Sequence, residues 1–358
     1  MIHHLVVDGV SWRILLEDLQ QAYRALAAFE PTNLPAKTSS FKAWAEHLQA
    51  YAQGAELQAE LGYWQGQLQG ASDALPCDHP QGSNQQRHAA SFTTRLDRET
   101  TRQLLQDAPA AYRTQINDLL LTALARVVGG WTQREDVLVR LEGHGREDLF
   151  DDIDLTRTVG WFTSMYPVKL SPQADVASSI KTIKEQLRAV PNKGLGYGLL
   201  RYLGGAEASA TLAALPQGEI VFNYLGQFDG SFDESGLFVP AQENDGIKQN
   251  EASALSSLLS MSGQVYGGEL RLEWRYSQAI HDAETIERLA TDYQQALIEI
   301  VAHCCLEQSR GVTPSDFPLA GLNQAQLDSL PVPATQIADI YPLSPMQQGM
   351  LFHTLYEE

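Results

Sequence analysis

The chain has 358 residues, 44% of them hydrophobic, and a formal net charge of -19. That length suits two domains or one large one with a sizeable core. So acidic a surface disfavours a nucleic-acid partner, and no apolar run approaches the roughly 20 residues of a membrane-spanning helix.

Met1 opens directly on a folded pattern with no signal peptide, and Cys77, Cys304 and Cys305 offer no disulfide framework. A reducing cytoplasm fits best. Ile2 to Val7 is short, apolar and β-branched, so it reads as a strand end. Neighbouring strand side chains point to opposite faces, so one of His3 and His4 is expected to be packed and the other presented. Asp8-Gly9 is turn chemistry. Ser11 is a candidate N-cap, and Trp12, Leu15, Leu16, Leu19, Tyr23 and Leu26 follow at helical spacing. For the histidines, a packed pair, a metal site and a general base compete. The metal reading is the weakest, because no HExxH or other standard ligand spacing is present.

Pro31 to Pro35 breaks the chain. Ser39 or Ser40 can cap a helix carrying Phe41, Trp44, Ala45, Leu48 and Tyr51, and Glu60 to Leu68 continues helical with Tyr63-Trp64 as core. Gly70 to Arg87 reads as a polar crossover between two lobes. Ala90 to Leu96 alternates as a strand. A helix from Asp97 or Thr100 to Leu105 follows, then one from Tyr112 to Val128 ended by Gly129-Gly130. Val137 to Leu141 is a strand running into Glu142-Gly143-His144-Gly145-Arg146-Glu147. A carboxylate at a strand end in a glycine-flanked turn is rigid behind and open in front, which suits catalysis; a solvated acidic turn is the plain alternative. Trp161 and Phe162 read as core. Ile180, Ile183, Lys184 and Leu187 mark a helix, and Gly194, Gly196 and Gly198 allow tight backbone.

Ile220, Phe222 and Tyr224 alternate in a strand that Gly226 turns, with Asn223 and Tyr224 either satisfied in the core or lining a channel. Phe232 to Glu251 is an acidic loop. Ser256–Val265 and Glu269–Tyr276 pair around Gly267-Gly268. Ile286 to Cys304 is a helix. Residues 306–336 have linker composition, with LPVPAT at their end.

Several of these stretches carry a family likeness. HHLVVDGVSWRILLEDL resembles the second-histidine motif of the condensation-domain superfamily of nonribosomal peptide synthetases. EGHGRE and FNYLGQFD resemble motifs of its epimerization branch, GWFT and the P-x-x-G-x-G-Y-G pattern its shared elements, and LGYWQGQL its YW element. The segment IYPLSPMQQGMLFH resembles the start of a following condensation domain.

The resemblance implies an α/β (α+β), chloramphenicol-acetyltransferase-like two-lobe fold with the first lobe incomplete. Residues 1–80 would be the remainder of the N-terminal lobe and 81–305 the C-terminal lobe. Residues 306–336 would be the linker and 337–358 the start of the next domain. It further implies inversion of the α-carbon of an aminoacyl or peptidyl thioester, an epimerase (isomerase) activity. His4 and Glu142 would be acid and base on opposite walls, with Glu142 the first choice for proton abstraction. Asp8 would order the histidine turn by pairing with Arg140 or Arg146, and amides near Gly9 would help hold an enolate oxygen. His3, Asn223 and Tyr224 would support the site. No metal or pyridoxal cofactor is implied; a phosphopantetheine arm would arrive on an upstream carrier domain, with a condensation domain downstream. A peptide-bond-forming condensation domain shares HHxxxDG but is not expected to carry EGHGRE with FNYLGQFD. An inactive docking fragment is the third alternative. With half of one lobe absent and a sheet edge exposed, the 358 residues alone are expected to be poorly stable or inactive.

Overall fold

In a computed structural model, residues 2–227, 237, 238, 246 and 249–356 are described. In chain order the helices are α1 (Gly9–Ala27), α2 (Phe41–Tyr51), α3 (Ala55–Ala59) and α4 (Leu61–Leu68). Strand β1 (Ala89–Leu96) follows, then α5 (Arg98–Arg102), α6 (Pro109–Tyr112) and α7 (Ile116–Thr132). Next come β2 (Val137–Gly143), β3 (Ser164–Leu170), α8 (Val176–Arg188), α9 (Leu195–Tyr202) and α10 (Ala206–Ala213). The chain continues with β4 (Ile220–Gln227), β5 (Leu259–Tyr266), β6 (Glu269–Ser277), α11 (Ala283–Cys305), α12 (Gln324–Asp328) and α13 (Pro345–Tyr356).

Among the described residues six strands form one mixed sheet in the order β1-β6-β5-β4-β2-β3. Alternation gives it two chemically distinct faces. On one face lie Leu259, Met261 and Val265 of β5, Leu270, Leu272 and Trp274 of β6, and Val139 and Leu141 of β2, all buried. Helices α7, α8 and α11 contact the sheet or one another there. Trp274 and Tyr293 meet edge to face at 5.7 Å, and deleting so large a buried ring costs about 3–5 kcal/mol. On the other face the register places Arg140 and Glu142 of β2 opposite Pro167 and Met165 of β3. Ser260 and Ser262 of β5 and Arg275 and Glu273 of β6 share it.

Helix α7 starts later and runs further than its sequence suggests. Arg113 is left-handed (φ 52) and cannot open it. Gln115 and Asp118 instead form a capping box, the Gln115 N–H donating to Asp118 at 2.7 Å. Asp118 also accepts two hydrogen bonds from Arg188, at 3.0 and 2.7 Å, tying α7 to α8. Gly129-Gly130 lie inside the helix, which Gln133 ends in the left-handed region. The expected helix after Asp97 is α5, capped by Asp97 and followed by a π-helical turn at Gln103–Asp107.

The expected strand at Ile2–Val7 is absent. Among the described residues it pairs with no strand; His4–Val6 form a 3₁₀ turn, with the Leu5 N–H donating to His3 Nδ1 at 3.1 Å. Without a strand here there is no sheet edge at His4 to expose. His3 and His4 are both exposed, so the alternation that would have packed one of them does not apply. Asp8, not Ser11, caps α1. Ser40 caps α2, its Oγ accepting from the Ala43 N–H. Of α1 only Ser11 and Ile14 are buried, and the stripe Trp12, Leu19, Tyr23 and Leu26 is exposed.

The segment with linker composition is packed. Val312, Phe317 and Leu327 form a small apolar cluster. Lys184 of α8 donates to Asp316 at 2.6 Å and to the Tyr112 carbonyl at 2.9 Å, and it is almost wholly buried. Residues 228–236, 239–245, 247 and 248 lie outside the described residues, and with them the end of FNYLGQFD and most of the 232–251 loop. No helix among the described residues is long and apolar enough to cross a membrane.

Candidate active site

Asp8 is the hub from which the site is built. Its Oδ1 accepts the Ser11 N–H at 2.7 Å as the cap of α1, satisfying one of the orphan donors at a helix start. The same carboxylate accepts from Arg146 Nη2 at 3.0 Å and from the Phe162 N–H at 3.2 Å. Burial alone would raise its pKa. The hydrogen bonds from Ser11 and Phe162 and the Arg146 charge outweigh that and hold the carboxyl below its ordinary value. Arg146 also donates to the Leu155 and Thr158 carbonyls at 2.9 and 2.6 Å, and its guanidinium lies 4.0 Å from the Phe162 ring centre. Of the two arginines expected as partners of Asp8, Arg146 is therefore the one; Arg140 donates to the Ser256 carbonyl instead.

Ser11 contributes more than its sequence suggested. Its Oγ donates to the Gly160 carbonyl at 2.9 Å and accepts from the Gly160 N–H at 3.1 Å and from Arg146 at 3.0 Å. Further along α1, Arg13 donates to the Leu225 carbonyl at 2.9 Å, and Arg157 pairs with Glu17 at 2.9 Å. Helix α1 is thus clamped to the three sequence-distant stretches that begin with Glu142, Arg157 and Ile220. Gly9, its first residue, is exposed and leaves open space where a side chain would stand.

His4 stands at the start of this clamp, its ring 5.2 Å from that of Trp161 at 54°. Trp161 was expected in the core. Only Phe162 is buried there; Trp161 is 43% exposed and turned to the histidine side. His3 faces the 3₁₀ turn it caps, so the structure brings His4, and not His3, to the site.

Glu142 lies within the end of β2 rather than in the loop after it. The loop is fixed by Gly145, which is left-handed (φ 66), with a Cβ position only 1.7 Å from the Phe162 carbonyl oxygen. A side chain there would have to displace backbone. Burial raises the Glu142 pKa, opposed by the charge of His4 and by a hydrogen bond from the Asn223 side chain. The charge of His4 thus acts on Glu142 although the two lie on elements far apart in sequence. Asn223 follows the Leu141–Phe222 pair of the β2–β4 register, which puts it beside Glu142. Tyr224 points the other way and joins the apolar core, where burial raises its phenol. Gly226 is left-handed inside β4, at a register shift, instead of ending the strand. Glu147, two residues beyond Gly145, pairs with Lys193 at 2.8 Å.

The sequence did not single out Ser11, Trp161 or Lys193 as site residues. Only Ser11 left a usable signal, its position three residues after Asp8.

A half-buried carboxylate of raised pKa within the electrostatic reach of an imidazole marks this region as the candidate site. The model of the condensation-domain family matches residues 1–322. A linear gramicidin synthase protein of Brevibacillus parabrevis is 48% identical over 364 residues, spanning 100% of this chain and 7% of that protein. Tyrocidine synthase 1 of the same organism is 40% identical over 340 residues, 92% of this chain and 31% of that protein. The chain therefore spans a small part of the curated relatives it matches. The epimerization domain from the third module of tyrocidine synthetase B superposes with a TM-score of 0.79 at 42% identity, covering 85% of this chain and 68% of that one. The X-domain from teicoplanin biosynthesis, 18% identical with a TM-score of 0.62 over 84% of this chain and 68% of its own, shares the fold. The expected α/β class, chloramphenicol-acetyltransferase-like, is thereby borne out. The chain belongs to the condensation-domain family of nonribosomal peptide synthetases.

Proposed function

We propose that this domain inverts the α-carbon of an aminoacyl or peptidyl thioester carried on the phosphopantetheine of an upstream carrier domain, ahead of a downstream condensation domain. The observation that carries this is the Glu142 carboxylate at the end of β2, lifted in pKa by burial and acted on by the charge of His4. A peptide-bond-forming site has no need of a second proton-transfer group facing the histidine. Inversion needs one: a proton leaves one face of the α-carbon and another arrives on the opposite face. The similarity to the tyrocidine epimerization domain supports the same reading.

In this scheme the α C–H bond breaks and its proton passes to a Glu142 carboxylate oxygen. The electron pair moves into the thioester as an enolate. Protonated His4 delivers a proton to the other face of the α-carbon, and both groups then re-equilibrate with solvent. Raising the pKa of Glu142 brings it nearer the range in which a base works at neutral pH. Asn223 holds the carboxylate by its hydrogen bond. The Asp8–Arg146–Ser11 cluster orients the turn that bears His4 and stays outside the proton transfer. In this reading the free backbone N–H groups and positive dipole end at Gly9, the start of α1, would help hold the enolate oxygen.

The test loads a carrier domain with an L-aminoacyl-pantetheine and follows the D/L ratio with and without a second loaded carrier. Drift to a D/L mixture, without peptide formation, is the expected result. Peptide formation with retained configuration moves the assignment to condensation.

A further inference from the structure

Between α8 and α9 the turn Pro191–Gly194 holds three successive left-handed residues: Asn192 (φ 44), Lys193 (φ 48) and Gly194 (φ 83). Glycine takes that conformation freely, whereas a residue with a Cβ crowds its own backbone there. Gly194 also has no room for a side chain, since a Cβ would stand 2.1 Å from the Tyr166 ring. Asn192 and Lys193 lack glycine's freedom, and such residues stay left-handed only where their surroundings hold them.

Two side-chain contacts hold this turn. Asn192 Nδ2 donates to Glu60 Oε1 at 2.7 Å. Lys193 Nζ lies 2.8 Å from Glu147 Oε2, and only 12% of the Glu147 side chain is exposed. The other Glu147 oxygen lies 3.5 Å from His144 Nε2, while His144 Nδ1 accepts the Arg146 N–H at 3.0 Å. Among the described residues Lys193 is the only permanent cation paired with Glu147. A carboxylate so enclosed keeps its place only while paired. The Lys193 side chain is itself 75% exposed, so the pair adds little to stability. What it contributes is placement. Arg146 and Glu147, neighbours in the chain, anchor one loop in two directions. Arg146 ties it to Asp8 in the histidine turn, and Glu147 ties it to the turn before α9. That loop starts at His144, two residues after Glu142.

We infer that Lys193 is a positioning residue for the proposed reaction: by holding Glu147 it fixes the loop that joins Glu142 to Arg146, and with it the setting of Glu142 against the histidine turn. The inference rests on the epimerization reading and adds a residue to it. Lys193 acts through Glu147 and takes no part in the proton transfer.

The experiment uses the full chain and a carrier domain loaded with L-leucyl-pantetheine. It reads α-deuterium uptake in heavy water, thermal melts, and backbone amide exchange by mass spectrometry. Lys193→Gly removes the ammonium and the left-handed strain together; Glu147→Gln breaks the same pair from its other end. Each should lower kcat about tenfold with KM unchanged, and the double variant should fall no further. Lys193→Arg should recover most of the loss. Lys193→Gly should melt no lower than wild type, which separates lost placement from lost folding. Amides of residues 144–148 should exchange several-fold faster in both single variants, with those of α9 unchanged. An undiminished kcat in Lys193→Gly, or loop amides unmoved in both variants, overturns the inference. A wild type that takes up no deuterium, with loop amides loosened in the variants, upholds the brace and overturns the epimerization reading, so the two failures are distinguishable.

Discussion

The Arg146 guanidinium lies 3.0 Å from the Asp8 carboxylate, with 8% and 4% of the two side chains exposed. This pair joins the histidine turn to the loop that follows Glu142. Removing one partner leaves the other charged, buried and uncompensated, at a cost of about 3–5 kcal/mol. Asp8→Ala is therefore expected to lower the melting temperature sharply, and Asp8→Ala with Arg146→Met to recover part of the loss. Thermal melts of the two singles and the double measure the coupling.

The same carboxylate predicts an acid limb of stability. Its folded pKa is depressed below 3.8, so its contribution is fully present above that value and is lost as pH falls through the folded pKa. Denaturant melts of wild type and Asp8→Asn should differ by a constant amount above about pH 5 and converge only in stronger acid. Convergence nearer neutrality would contradict the depressed pKa.

Glu142 has the opposite sign. Burial raises its folded pKa above 4.5, so stability falls as pH rises from the ordinary carboxylate pKa to the folded one, and the full penalty stands above the folded value. Glu142→Gln should be more stable than wild type at neutral pH, with the difference shrinking in acid towards the ordinary carboxylate range. Paired melts in acid and at mildly alkaline pH read this directly. A less stable variant on the alkaline side would mean that Asn223 and His4 outweigh the burial.

Trp161 and Phe162 are neighbours with different duties. Phe162 is buried beneath the Arg146 guanidinium, and Phe162→Ala should cost about 3–5 kcal/mol. Trp161 is substantially exposed and touches His4. Trp161→Ala should cost about 0.5–1.5 kcal/mol of ring contact, yet slow turnover about tenfold by freeing the imidazole. Equal losses of stability in the two variants would contradict this division.

Lys184 and Asp316 test the packing of the segment after α11. Lys184→Met leaves the Asp316 carboxylate without its cation and should destabilise by about 3–5 kcal/mol. Limited proteolysis should then cut within residues 306–330, where the wild-type chain should resist. Cutting at equal rates in both would show a loose linker.

Much of this was legible in the sequence, for physical reasons. The strands β1, β5 and β6 announce themselves by alternation, because one face is buried and the other is not. Glu142, His4 and Asp8 were legible as candidates chiefly through the family resemblance of HHLVVDG and EGHGRE; turn chemistry with ionisable groups alone left a packed histidine pair and a solvated acidic turn open. What failed depended on tertiary partners. Ile2–Val7 has strand composition but no strand beside it, and His3 closes a 3₁₀ turn instead. Trp161 carries the composition of core but packs on a histidine that sequence spacing could not place. The apolar stripe of α1 reads as a buried face and is exposed. Residues 306–336 read as a linker by composition, and only the buried Lys184–Asp316 pair and the Phe317 cluster reveal that they pack.

The central claim is that Glu142 and His4 exchange the α-proton. The most direct measurement is α-deuterium uptake into a carrier-bound L-aminoacyl or peptidyl thioester in heavy water, for wild type, His4→Ala and Glu142→Gln. Wild type should incorporate deuterium and drift towards a D/L mixture, with exchange falling about 10²–10⁴-fold in each variant. Undiminished deuterium uptake in Glu142→Gln, with the protein folded, would contradict the account.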